Sequence, residues 1–251
     1  MKTIRCLLLA LWLLPSALRA QEPARLELPS IVAGDCILEY TGFTVSYDEK
    51  ARIPMWVAYE LTAEEANGTI GRGGKYFRLD ANASVVQADN IDYRGSGWSR
   101  GHMAPAGDFK WDEQAMWDTF LYTNCCPQDE RMNNGSWNVL ENQVRMWARR
   151  FGSVWVVTGP YVFMNKNGRI GPHEVVVPDA FFKAVLARDG DAWHGIAFLM
   201  YNDSQPRRPS ESYLTINELE RRTGIDFFPA LDDAVEETVE AVAEPDFWPL
   251  R

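Results

Sequence analysis

"NNGSWNVLENQVRMWARRFG", residues 133–152, holds the clearest periodic signal in the chain. Trp137, Leu140, Val144 and Ala148 stand at i, i+3, i+7 and i+11 and make one apolar stripe, and Gly152 ends the pattern, which predicts an amphipathic helix. On either side the period changes. "CILEYTGFTVSYDEKARIPMWVAYEL" (36–61) alternates apolar and polar residues about a turn at Asp48 to Arg52, as two antiparallel strands do. "SVWVVTGPYVF" (153–163) and "EVVVPDAFFKAVLARDGDAWHGIAFLMYN" (174–202) are further β-rich runs, with turns expected at Gly159-Pro160 and Asp189-Gly190. "TINELERRTGIDFFPAL" (215–231) reads as a second helix stopped by Gly224. "DEQAMWDTFLYTNCCPQ" (112–128) starts helical and becomes extended. The polar, glycine-rich stretch 62–86, "TAEEANGTIGRGGKYFRLDANASVV", reads as a long loop of the kind that often carries function. With no internal repeat and no interior linker, the expectation is one α+β domain, a central antiparallel sheet flanked by helices.

The ends have their own signatures. Residues 1–20, "MKTIRCLLLALWLLPSALRA", have the layout of a secretory signal peptide, with an apolar part too short to span a bilayer stably. That predicts a secreted or periplasmic protein without stable membrane insertion. The polar lead-in then covers 21–35, the main domain 36–230, and an acidic segment 231–251. The C-terminal run "LDDAVEETVEAVAEPDFW" is readable as a short amphipathic helix docked on the domain or as a partner-binding tail, docking being the plainer reading. Past the leader, Cys36, Cys125 and Cys126 are an odd set without CxxC spacing, a poor zinc site that allows one disulfide from Cys36 or none.

The formal charge of −10 argues against a histone-like binder of nucleic acid, but net charge governs solubility and steering while a site is made locally. Eight acids and no Lys or Arg fall between Asp226 and Asp246, whereas Arg131 to Arg150 carries four basic residues against one acid. An enzyme that grips a phosphate is therefore not excluded.

Phosphodiester hydrolysis needs a base for water, cations on the nonbridging oxygens and help for the leaving oxygen. In "WSRGHMAPAGDFKW" (98–111), His102 is a natural base, and Arg100, two residues away on an extended chain, shares its face. The small residues that follow leave room for a bulky substrate. A hydrogen-bonded core histidine is the competing reading, and these residues alone leave both open. In the 133–152 helix, Asn133 and Glu141 offer an amide oxygen and a carboxylate to one cleft, which suits Mg²⁺ with its retained waters. Spacing alone fits equally a helix cap at Asn133 and an ordinary i,i+4 ion pair between Glu141 and Arg145. His173 and His194 lack such company, and His194, beside a β-run, reads as structural or exposed. The Arg-Arg pairs at Arg149, Arg207 and Arg221 could widen a substrate groove, solvated surface being the plainer reading.

"DYRGSGWSRGHMAPAGDFKW" (92–111), "TNCCPQ" (123–128) and "MNNGSWNVLENQVR" (132–145), in that order, resemble the DNA/RNA non-specific endonucleases of the ββα-metal group. "VTGPYVF", "VVVPDAFFKAVL" and "ELERRTGIDFFP" look like the same family, so the resemblance runs from about Tyr40 to Pro229. It implies a ββα-metal motif and a metal-dependent endonuclease acting on DNA and RNA with little sequence preference. On that resemblance His102 is the general base, Asn133 the direct ligand of the metal, and Glu141 the glutamate that holds it through water. Arg145 then lies near the phosphate, Asn124 beside the histidine and metal, and Arg72 is the arginine that contacts the phosphate. Arg100 matches the arginine of the family's "DRGH" motif. The implied cofactor is Mg²⁺, with Mn²⁺ or another divalent cation as substitute, and the implied partners are DNA and RNA; oligomeric state stays open, a homodimer included. One departure stands out: Ser99 occupies the usual acidic position of the motif, which bears on rate and pH optimum more than on reaction type. A catalytically silent binding module of the same fold and a phosphodiesterase for small esters are the alternative readings.

Overall fold

The computed structural model describes residues 25–250. The expected leader, 1–20, lies outside the described residues. β1 (Cys36–Tyr40), β2 (Phe43–Asp48) and β3 (Ile53–Thr62) open the fold. Where the alternation predicts two strands, a second turn at Thr41-Gly42 divides the run into three. Gly42 takes φ +87°, and a Cβ there would lie 2.8 Å from the Trp111 ring, so the turn accepts only glycine without strain.

The glycine-rich stretch stays irregular apart from a 3₁₀ turn at Glu65–Asn67. It leads into α1 (Asn90–Tyr93), β4 (Ser99–His102), α2 (Glu113–Asp118), β5 (Cys125–Gln128) and α3 (Glu130–Met132). A π-type turn, Asn133–Trp137, joins α3 to the long helix α4 (Asn138–Phe151). Leu140, Val144 and Ala148 are wholly buried along α4, and Gly152 ends it at φ +88°, as the stripe predicts. Then follow β6 (Ser153–Tyr161), β7 (Arg169–Ile170), β8 (Val175–Val176), β9 (Ala180–Asp189), β10 (Ala192–Tyr201), β11 (Tyr213–Leu214), α5 (Ile216–Thr223) and α6 (Asp233–Glu240).

Seven strands form the central sheet in the order β1-β2-β3-β6-β9-β10-β11, each pair of neighbours antiparallel. This is the α+β architecture expected. Both faces are covered, and β9 displays the two-residue period that makes this work. Phe181, Val185 and Ala187 pack with Trp137, Leu140 and Val144 on one face. Phe182, Ala184 and Leu186 pack with Ile216, Leu219 and Val239 on the other.

The turn expected at Gly159-Pro160 is absent, and both residues belong to β6. β3 pairs with β6 only as far as Thr158, so Pro160 costs no hydrogen bond on that side. Gly159 is needed because a Cβ would lie 2.5 Å from the Met55 carbonyl oxygen. At the C-terminal end Trp248 is fully buried, its ring 4.8 Å from that of Trp147 and 5.7 Å from that of Phe151. The disulfide is not formed: Cys36, Cys125 and Cys126 are all free thiols. Among the described residues no helix is long and apolar enough to cross a membrane.

Candidate active site

β4 and β5 pair antiparallel with His102 opposite Cys125, which sets the histidine at the end of a two-stranded ribbon on the α4 side of the sheet. From β5 the chain turns into α3, where the Asp129 carboxylate accepts the N–H groups of Arg131 and Met132 and caps the first turn. Asn202, at the end of β10, ties this crossover to the central sheet. Its amide donates to the Pro127 and Pro178 carbonyls and accepts the Asp129 N–H at 2.8 Å. The π-type turn follows, with Gly135 at φ −105°, ψ −106°, outside helical values. Such turns recur at functional sites, and here one end carries Asn133.

Ribbon, glycine-rich loop and helix enclose a cavity of about 560 Å³, and Arg72, Arg100, His102, Asn133, Glu141 and Arg145 all line it. Asn124 does not. It is wholly buried, and its amide accepts the Ala104 N–H and donates to the carbonyls of Ala104 and Thr119. With every polar atom spent on backbone, it splints the segment after His102 and offers nothing to the cavity. His173, bonded to Asp92 at 2.9 Å, and His194, stacked on Phe247 at 3.6 Å, are also outside it.

The His102 ring lies 4.6 Å from Phe77 and meets Phe120 edge-on at 5.0 Å, and Nε2 is buried without a hydrogen-bond partner. Burial, reinforced by the Arg72 charge, pushes the imidazole down to about 3, so it is neutral at physiological pH and free to accept a proton. The Arg72 guanidinium sits 5.1 Å from the Phe120 ring centroid. Arg100 is turned toward α1, donating to Asn90 Oδ1 at 2.5 Å and to the Tyr122 hydroxyl at 3.3 Å, over the Tyr93 ring. Ser99 pairs through its backbone with Gln128.

Two buried charges behind the cavity escape the sequence reading. Asp108 accepts Arg145 Nη1 at 2.5 Å and the Tyr59 hydroxyl at 2.7 Å. Lys183 on β9 is fully buried, its Nζ unbonded and 4.9 Å over the Trp137 ring. Burial raises Glu141 and lowers Lys183, each opposed by the charge of the other. A single charge inside the apolar run "AFFKAVLA" (180–187) is the signal that marks Lys183. Asp108 carries none, because its partner lies 37 positions away.

Asn133 and Glu141 both line this cavity. Among the described residues no three His, Cys, Asp or Glu side chains gather as a metal cage. An amide oxygen with a carboxylate fits a hard divalent ion that keeps most of its waters.

The profile of the DNA/RNA non-specific endonuclease family matches residues 26–234, which include every residue of this cavity. The chain belongs to that family. Among similar proteins, the mitochondrial nuclease EXOG of Danio rerio is 40% identical over 207 residues, covering 76% of this chain and 60% of that protein. The mitochondrial endonuclease G of Homo sapiens is 34% identical over 201 residues, 74% of this chain and 67% of that one. The chain thus spans about 60% of the length of the EXOG relatives it matches. A crystal structure of the EndoG/EndoGI complex, concerned with EndoG inhibition, superposes with a TM-score of 0.76 at 28% identity, covering 84% of this chain and 94% of that one. The relatives correct one expectation. The secreted or periplasmic location disagrees with similar proteins of zebrafish, human, cattle and fission yeast that are all named mitochondrial.

Proposed function

We propose that this protein is a divalent-metal-dependent endonuclease that hydrolyses the phosphodiester bonds of DNA and RNA with little sequence preference. The observation that carries the reading is the convergence of His102, Arg72, Asn133, Glu141 and Arg145, from a ribbon, a loop and one long helix, on one cavity. Mg²⁺, or Mn²⁺ in its place, would be held by Asn133 directly and by Glu141 through water, and would supply charge neutralisation at the phosphate and the leaving oxygen. His102, neutral and with its base nitrogen unspent, takes the proton of the attacking water. Arg72 contacts the nonbridging oxygens, and Arg145, braced by Asp108, adds positive charge beside them. The leaving group is the 3′ oxygen, which gives 5′-phosphate and 3′-hydroxyl ends. In this reading each of these groups is committed to the metal, the water or a phosphate rather than to a base edge, which supports weak sequence preference.

Purified protein incubated with supercoiled plasmid and with RNA tests this. Both substrates are degraded with Mg²⁺ and neither with EDTA, and His102→Ala lowers the rate by about 10²–10⁴-fold. Intact substrates in every divalent metal, or a fully active His102→Ala, overturn the reading.

A further inference from the structure

The π-type turn has two sides. Asn133, Asn134 and Asn138 face the active-site cavity, whereas Arg131, Gly135, Ser136 and Val139 wall a separate groove of about 540 Å³. The opposite wall is the segment 204–209, tied to the turn by the Arg207 N–H donating to Ser136 Oγ at 3.2 Å. Arg207 itself is committed. Its guanidinium donates to both Asp203 oxygens, at 2.6 and 3.0 Å, and lies over the Tyr201 ring. Arg131 and Arg208 also line the groove, are exposed, and have no ion-pair partner among the described residues. In a protein of net charge −10, two uncompensated guanidiniums facing one groove form a local anion-binding surface. Glu211, the acid that approaches Arg208, accepts the Arg208 backbone N–H at 3.1 Å.

We infer that Arg131 and Arg208 bind the phosphate backbone of the substrate strand as it leaves the active-site cavity across the π-type turn; this rests on the nuclease reading above. The groove and the cavity lie on two sides of one helical segment, whose diameter with side chains is roughly 10–12 Å. A strand advancing about 3.4 Å per phosphate crosses it in roughly three or four nucleotides. Planar guanidiniums take phosphate oxygens in pairs, a contact that carries no base selection. The occupant is therefore any DNA or RNA strand long enough to reach.

The test compares wild type, Arg131→Ala/Arg208→Ala and Arg131→Lys/Arg208→Lys on 20-nucleotide DNA and RNA strands. Binding is read by fluorescence anisotropy in EDTA over a salt series, and cleavage with Mg²⁺. The alanine pair raises Kd and KM by about 5–30-fold and reduces the slope of log K against log salt by about 1.4, the release expected from two lost phosphate contacts. The lysine pair recovers most of the binding, and on trinucleotides the alanine pair and wild type have equal Kd. A cleaving wild type whose Kd, KM and salt slope match those of the alanine pair overturns the inference and leaves the nuclease reading standing. A wild type that neither binds nor cleaves overturns both.

Discussion

Arg145 Nη1 meets Asp108 Oδ1 at 2.5 Å, and the other oxygen of that carboxylate accepts the Tyr59 hydroxyl. Asp108 is completely buried and Arg145 nearly so, which makes the pair a brace between α4 and the segment after β4. Arg145→Met leaves an uncompensated charge in the interior, at an expected cost of about 3–5 kcal/mol. Urea unfolding measures it. Arg145→Lys, which keeps the charge, should lose distinctly less, and a methionine variant as stable as wild type would show that the brace carries no load.

Gly101 sits between Arg100 and His102, and a Cβ there would collide with the buried side-chain oxygen of Gln128. Gly101→Ala must push the ribbon or Gln128 aside. Expected are about 1–3 kcal/mol of lost stability and a fall of about 10²-fold in kcat from a displaced His102. Steady-state cleavage of a fluorogenic oligonucleotide alongside thermal melting separates the two.

The Arg72 charge adds to burial in holding the His102 imidazole down, to about 3. The base itself therefore stays unprotonated well below the ordinary histidine range. Removing the cation lets the imidazole hold its proton to higher pH, so the acid limb of kcat/KM in Arg72→Gln moves upward. A limb that keeps its position while the plateau drops would separate Arg72 from the histidine.

Glu240 on α6 is buried, and burial together with Glu220, Glu236 and Asp226 pushes its carboxyl up to about 8, from 4.5. A raised carboxyl stabilises the fold fully below about 4.5, and that contribution is lost as pH rises through about 8. Wild type should lose on the order of 4 kcal/mol between pH 5 and 9 at this site. Chemical denaturation across that range should give a flatter curve for Glu240→Gln, crossing above wild type on the alkaline side.

Much of this molecule is legible where chemistry is local. The stripe of Trp137, Leu140, Val144 and Ala148 announces α4, and Gly152 and Gly224 end helices as expected. Six of the seven residues named for the site line one cavity. What local reading misses is settled by distant partners. The extra turn at Gly42 depends on Trp111, and the straight passage through Gly159 and Pro160 on Met55 and on where β3 stops pairing. Asn124 reads as a site residue by motif and is a splint because its hydrogen bonds go to Ala104 and Thr119.

The π-type turn also places a limit on how this sequence can vary. In an unbroken α-helix, residues eight apart diverge by about 80° around the axis. A turn that absorbs one additional residue brings that divergence back to about 20°, which is how Asn133 and Glu141 come to face the same space. The length of 133–137 is thus more constrained than its composition. Replacements at Asn134 or Ser136 leave the register intact, whereas loss of one residue swings Asn133 by about 100° and leaves Trp137, Leu140 and Val144 seated in the core. Within this turn, Asn133 itself apart, a change of length rather than of residue is what would cost the site its geometry and leave the fold its shape.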